Sequence, residues 1–168
     1  MHPCFFVYCA ATAGVRYGKN VTVRLDAENE VQPDALLRID ERCGGQSRIG
    51  VDNFIEGAPE LVVEIAVSSA AYDLHEKMRV HRRTGVREYV VWRVHDEQID
   101  WFVLEDGVYT AQTPDATGIF ASRVFPGLSV DTTALLAQDL AAVLATLQAG
   151  IQTRGHADFC AALEREQR

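Results

Sequence analysis

A nearly continuous apolar segment at residues 60–67 constrains the fold more than any other part of the chain. Strands that are apolar on both faces are typical of central positions in a sheet that is covered on two sides. A helix is predicted next, at residues 70–84, with Ser68 or Ser69 as its N-cap. A second apolar strand follows at residues 86–94. This strand–helix–strand order predicts a layered domain that combines helices with a sheet.

The segments around this unit predict antiparallel strands and further helices. Period-two alternation indicates strands, Pro33 is acceptable at the start of one of them, and Asp106-Gly107 is a typical hairpin turn. The predicted elements are strands at residues 21–25, 34–39, 99–104 and 108–111, and helices at 8–13, 132–147 and 156–164. The predicted fold class is α/β (mixed α+β), with a central mixed β-sheet flanked by helices, an antiparallel meander and C-terminal helices. We expect one domain, residues 1–168.

The composition excludes two broad classes of protein. An apolar share of 48% argues against intrinsic disorder, and no apolar run approaches the roughly 20 residues that span a membrane. The start of the chain has no export pattern, so we expect a cytoplasmic protein. A net charge of −8 argues mildly against unassisted binding to a polyanion. One segment is locally basic, and it carries Lys77, Arg79, Arg82, Arg83 and Arg87 against a single acid, Glu76.

Glu64 interrupts the central apolar strand and is the most informative residue of the chain. A carboxylate without a partner is costly to bury, so we expect a cation, a metal ion or cleft water beside it. Asp34 begins another predicted strand, and Asp73 and Lys77 share one face of the following helix. Two carboxylates and a lysine suit a hard divalent cation. The alternative is structural: Glu64 pairs with an arginine, Asp34 caps a turn, and Lys77 pairs with Asp73 in solvent.

Four motifs in register resemble those of the Uma2 family, a family of endonucleases similar to the PD-(D/E)XK, restriction-endonuclease-like nucleases. The motifs are Gln-Pro-Asp-Ala-Leu-Leu at 32–37, Gly-Ala-Pro-Glu-Leu-Val-Val-Glu-Ile at 57–65, Asp-Leu-His-Glu-Lys at 73–77 and Gly-Val-Arg-Glu-Tyr-Val-Val-Trp at 85–92. Their order and spacing match the family over residues 21–130, about two thirds of the chain. Compared with the family, the chain begins inside the first helix.

The resemblance implies a restriction-endonuclease-like fold and a catalytic set of Asp34, Glu64 and Lys77. Asp34 and Glu64 would ligate Mg²⁺ or Mn²⁺, and Lys77 would orient water or stabilise charge on the phosphate. Asp73 would be an accessory residue, either a partner for Lys77 or an extra ligand. The standard lysine position, two residues after Glu64, holds Ala66 here, and the family's lysine on the next helix corresponds to Lys77.

We therefore expect a metal-dependent endonuclease that hydrolyses phosphodiester bonds, with DNA as its nucleic-acid partner. Arg79, Arg82 and Arg83 are the predicted nucleic-acid-binding residues, because an acidic protein approaches a polyanion through a locally basic face. One alternative is a non-catalytic nucleic-acid-binding or protein-interaction domain of the same fold. Another is a structural domain that forms a homodimer. The spacing of His75 and His81 does not match the zinc-protease motif.

Overall fold

The computed structural model describes residues 1–66 and 71–167, and within the second range it leaves out the side chains of residues 71–74. The predicted N-cap at Ser68 or Ser69 lies outside these residues. The helices are α1 His2–Ala11, α2 Ala71–Thr84, α3 Thr132–Leu136, α4 Leu140–Ile151 and α5 Arg154–Glu166. The strands are β1 Val15–Gly18, β2 Val23–Arg24, β3 Glu30–Val31, β4 Ala35–Ile39, β5 Arg48–Ile49, β6 Ile55–Glu56, β7 Leu61–Ala66, β8 Glu88–Arg93, β9 Gln98–Glu105, β10 Val108–Gln112, β11 Ile119–Ala121 and β12 Ser129–Asp131.

A six-stranded sheet with the order β1-β4-β7-β8-β9-β10 forms the centre of the fold. Strands β7 and β8 are parallel and are connected through α2, whereas the other neighbours in this sheet are antiparallel. The predicted central mixed sheet flanked by helices is therefore confirmed. Two smaller sheets, β3-β2-β6-β5 and β11-β12, complete the described strands.

The two faces of the central sheet pack against different helices because side chains alternate along each strand. Leu61 and Val63 of β7 belong to the larger core, together with residues of α1 and α4. Val62 lies on the opposite face with Tyr89 of β8, where α2 packs through Met78 and Val80. We call these the α1/α4 face and the α2 face. Glu64 shares the alternation of Val62 and therefore lies on the α2 face.

The predicted hairpin is confirmed, and its turn has the expected geometry. Strands β9 and β10 are antiparallel, with Glu105 opposite Val108. Asp106 and Gly107 both have positive φ, 49° and 76°, as a two-residue type I′ turn requires.

The prediction of one helix over residues 132–147 is wrong, because the chain forms α3 and α4 in its place. Gln138 takes a left-handed φ of 59° between them. Asp139 then caps α4, since its Oδ1 accepts a hydrogen bond from the N–H of Ala142 at 3.0 Å. Within residues 1–66 and 71–167, no helix has both the length and the apolar character needed to cross a membrane.

Candidate active site

Asp34 and Glu64 are brought together by the antiparallel pairing of β4 with β7. In this ladder Ala35 lies opposite Val63, and Leu37 lies opposite Leu61. Continuing the register by one residue places Asp34 opposite Glu64. Residues that are directly opposite project from the same face, with Cβ atoms about 5 Å apart. Asp34 and Glu64 are therefore adjacent across the two strands, at the end of the pairing.

The carboxylate of Asp34 is held by the backbone of the neighbouring strand. Its Oδ2 accepts a hydrogen bond from the N–H of Ile65 at 2.7 Å. The residue is half-buried, and in the part of the chain that the structure describes no hydrogen-bond donor reaches its Oδ1. Asp34 therefore has one oxygen fixed in place and a second oxygen that a ligand can reach.

Lys77 lies on α2 and reaches Glu64 on the sheet below. Its Nζ donates to Oε2 of Glu64 at 2.8 Å, and the two side chains are 43% and 9% exposed. Glu64 thus has a lysine beside it, whereas the structural alternative assumed an arginine. The side chain of Asp73 lies outside the described part of the chain, so its predicted pairing with Lys77 stays a prediction.

Two other carboxylates, one immediately before β7 and one at the start of β8, have partners of a different kind. Glu60 is almost fully buried, and its two oxygens accept backbone hydrogen bonds from Ile39 at 2.7 Å and Gln46 at 2.9 Å. Glu88 is also buried, and it accepts a hydrogen bond from Oγ of Ser122 at 2.6 Å. Burial raises the pKa of Glu88 above its ordinary value. Both carboxylates fasten loops to the sheet and have structural roles.

Lys77 differs from these partners because it is a cation on a long, half-exposed side chain. A lysine ammonium can turn from one anionic oxygen to another, which a backbone N–H cannot do. The contact between Lys77 and Glu64 is therefore one that a bound anion or metal ion can replace.

His81 lies one helical turn after Lys77 on the buried side of α2. It is fully buried, and its ring centroid is 5.0 Å from that of Tyr89. Neither ring nitrogen has a hydrogen-bond partner among the residues that the structure describes. Burial, with a smaller effect of the Lys77 charge, lowers the pKa of His81 to about 4. At the level of sequence, His81 is considered only together with His75, as a spacing that does not match the zinc-protease motif.

Arg79, Arg82 and Arg83 lie together, on the outward side of α2. At about 100° per residue they are roughly 140° to 240° around the helix axis from Lys77. Arg79 pairs with Glu76 at 3.2 Å, and Arg83 pairs with Asp26 at 3.3 Å. All three arginines line one surface depression that extends to the turn between β9 and β10. The structure thus groups them with one another and not with the carboxylates.

The donor set suits a divalent cation with a mixed coordination shell. In the described side chains no group of three or more His, Cys, Asp or Glu residues is arranged to hold a metal ion. Asp34 and Glu64 offer two hard oxygen donors. Mg²⁺ is commonly bound through one or two carboxylates, with water and substrate phosphate completing its shell. The residues present therefore fit Mg²⁺ or Mn²⁺ together with a phosphate substrate.

The fold is similar to that of a nuclease-like protein of known structure. A crystal structure from Anabaena variabilis ATCC 29413, described as a putative nuclease belonging to DUF820, superimposes with a TM-score of 0.57 and covers 81% of this chain and 77% of its own. The sequence identity is 11%, so the similarity shows the fold alone. The family model Uma2, described as "Putative restriction endonuclease", matches residues 5–138. The chain belongs to the Uma2 family. No curated protein matches it.

Proposed function

We propose that the protein is a divalent-metal-dependent endonuclease that hydrolyses phosphodiester bonds, with DNA as its substrate and Mg²⁺ or Mn²⁺ as its cofactor. The observations that support this proposal are the contact of Lys77 with Glu64 at 2.8 Å and the position of Asp34, the next residue in register opposite Glu64. Membership of a family described as restriction endonucleases supports the same reaction class.

In this proposal Asp34 and Glu64 would hold the cation, which would polarise the phosphate and lower the pKa of water. The hydrogen bond from the Ile65 N–H fixes one oxygen of Asp34, so that its carboxylate is oriented before a ligand arrives. Glu64 lies at the low-exposure end of the site, where solvent screens its charge least.

Lys77 has the role of a mobile cation in this site. Before substrate binds, its ammonium neutralises Glu64. Its 43% exposure gives it access to a phosphate oxygen or to the attacking water. Moving the ammonium from the carboxylate to the phosphate places positive charge where negative charge develops during the reaction.

Two further assignments belong to the same proposal. Asp73 precedes Lys77 by one turn of α2 and is proposed to orient it or to add a ligand. Arg79, Arg82 and Arg83 are proposed to bind the nucleic-acid backbone on the outward side of α2, since guanidinium groups pair well with phosphate oxygens.

The direct test measures DNA cleavage with Mg²⁺ or Mn²⁺ for the wild-type protein, Glu64→Gln and Lys77→Met. We expect both substitutions to abolish or strongly reduce cleavage while the circular dichroism spectrum is retained. Asp158→Asn is the control, because Asp158 is an exposed carboxylate on α5, which packs with α4 away from the α2 face. This control should cleave at the wild-type rate.

A non-catalytic domain that binds nucleic acid or protein is the second candidate. It is favoured by the pairing of Glu64 with Lys77, which is also consistent with a structural ion pair. The net charge of −8 favours a protein partner over a nucleic acid. If no DNA or RNA substrate is cut with either metal ion, and calorimetry finds no metal binding that Glu64→Gln removes, the enzyme proposal is wrong and this candidate replaces it.

A further inference from the structure

Strand β10 forms an open outer edge of the six-stranded sheet. Among the described strands it pairs with β9 alone. Val108 is 55% exposed, and Thr110 and Ala111 are exposed as well. An edge strand of this kind presents a row of backbone N–H and C=O groups to which another strand can bind.

The register identifies the backbone groups that point away from β9. The type I′ turn makes Glu105 and Val108 a hydrogen-bonded pair. Because hydrogen-bonded pairs alternate along an antiparallel ladder, the next residues of β10 that bond to β9 are the second and fourth after Val108. Tyr109 and Ala111 therefore direct their N–H and C=O groups outwards.

The bonding on the other side of β9 agrees with this assignment. Leu104 is the residue opposite Tyr109. Its N–H donates to the carbonyl of Arg87 at 2.8 Å, on the side of β9 that faces away from β10. Tyr109 itself is held to the sheet by its hydroxyl, which donates to the carbonyl of Val86 at 2.8 Å. The outward backbone groups therefore belong to a strand that is firmly attached.

Strand β10 lacks the features that usually keep sheet edges apart. Natural edge strands are often blocked by lysine, by proline or by a bulge. The sequence of β10, Val-Tyr-Thr-Ala-Gln, has no charged residue and no proline, and its register with β9 is uninterrupted. In a chain of net charge −8, an uncharged edge can meet its own copy without placing like charges opposite each other.

We propose that β10 pairs in antiparallel fashion with β10 of a second copy of this chain. With the two-fold axis at Thr110, Tyr109 lies opposite the partner's Ala111, and Thr110 lies opposite the partner's Thr110. The outward groups of Tyr109 and Ala111 then form four backbone hydrogen bonds across the axis. Threonine pairs are favourable between neighbouring strands. The two sheets join into one continuous sheet.

The proposed dimer does not depend on the proposed function. Its consequence for nucleic-acid binding does rest on that function. An axis perpendicular to the sheet keeps both α2 helices on the same side of the joined sheet. The depression lined by Arg79, Arg82 and Arg83 includes Gly107, which immediately precedes β10. The dimer therefore presents two arginine surfaces to one side, and a nucleic acid that spans both gains from effective concentration.

The test compares the mass of the protein in solution, by light scattering over a micromolar concentration series, for wild type, Ala111→Pro and Ala111→Thr. Proline removes the outward N–H of residue 111 and is tolerated on an edge strand whose N–H faces solvent. Threonine keeps that N–H and is the matched control. Thr110→Lys is a second variant that places two positive charges opposite each other.

We expect wild type and Ala111→Thr to approach twice 18.6 kDa as the concentration rises, and Ala111→Pro and Thr110→Lys to remain at 18.6 kDa with a native circular dichroism spectrum. A wild-type protein that stays monomeric over the whole series overturns the proposal. A dimer that both folded variants retain also overturns it, because the contact then lies elsewhere. Loss of the dimer without any change in DNA affinity leaves the interface standing and removes only its link to nucleic-acid binding.

Discussion

The buried imidazole of His81 makes the stability of this protein sensitive to mild acid. In an unfolded chain the pKa of histidine is about 6.5, whereas in the folded protein that of His81 is lowered to about 4. As the pH falls below 6.5, the unfolded state therefore binds a proton at this histidine, whereas the folded state does not. The free energy of unfolding decreases through this window and levels off below the folded pKa. The loss amounts to about 3 kcal/mol by pH 4, because each pKa unit corresponds to about 1.4 kcal/mol.

The assay is urea denaturation at a series of pH values between 7.5 and about 4 for wild type and His81→Leu. Leucine is of similar size and does not titrate, so the variant should lose about 3 kcal/mol less stability over this range than wild type. His75→Leu is the control, since His75 is an exposed histidine on the same helix. It should follow the wild-type curve. If His81→Leu and wild type lose stability in parallel, His81 is not a neutral buried group and the reasoning is refuted.

Three further predictions follow from contacts elsewhere in the fold. Asp139→Ala should lower the free energy of unfolding by about 1 kcal/mol, measured by urea denaturation, because Asp139 caps α4. The side chain of Arg42 holds the pKa of the Asp40 carboxyl below its ordinary value. Asp40→Asn should therefore destabilise the protein at pH 7. The variant should also lose less stability than wild type as the pH falls through the range in which aspartate of the unfolded chain becomes protonated. DNA affinity, measured by fluorescence anisotropy, should fall steeply as the salt concentration rises, and at any one salt concentration it should be lower for Arg82→Glu than for wild type. An affinity independent of salt would exclude an electrostatic interface.

The central part of the fold could be predicted because its sequence signals are local and strong. Residues 60–67 and 86–94 have the apolar character of central strands, and they contain β7 and β8. The turn at Asp106-Gly107 requires two residues with positive φ, and Asp-Gly supplies them at low cost. In such segments local preference and tertiary packing agree.

The elements that were missed depend on longer-range contacts. Helix periodicity continues through residue 138, and the break between α3 and α4 occurs at a glutamine in the left-handed region, which local sequence does not encode. Strand β1 follows Gly14 and is held by its pairing with β4, where Tyr17 lies opposite Leu37. The two-residue strand β6 likewise exists through its parallel pairing with β2.

In the candidate site, too, features set by local sequence could be predicted and features set by long-range packing could not. Strand pairing made the position of Asp34 beside β7 predictable, since Ala35 and Glu64 lie on neighbouring strands that the sequence indicates. The contact between Lys77 and Glu64 could be anticipated from a helix that follows the Glu64 strand. The position of Arg79, Arg82 and Arg83 on the other side of α2 depends on the rotation of the helix on the sheet. That rotation is set by the packing of buried residues such as His81.

The most direct measurement of the central claim is a crystal structure of the protein soaked with Mn²⁺, with anomalous diffraction data to locate the ion. We expect an anomalous peak between the carboxylates of Asp34 and Glu64, within the roughly 2 to 2.5 Å of direct oxygen ligation for at least one of them, and its absence in crystals of Glu64→Gln. A Mn²⁺-soaked structure in which Lys77 still pairs with Glu64 and no peak lies beside either carboxylate would contradict the account.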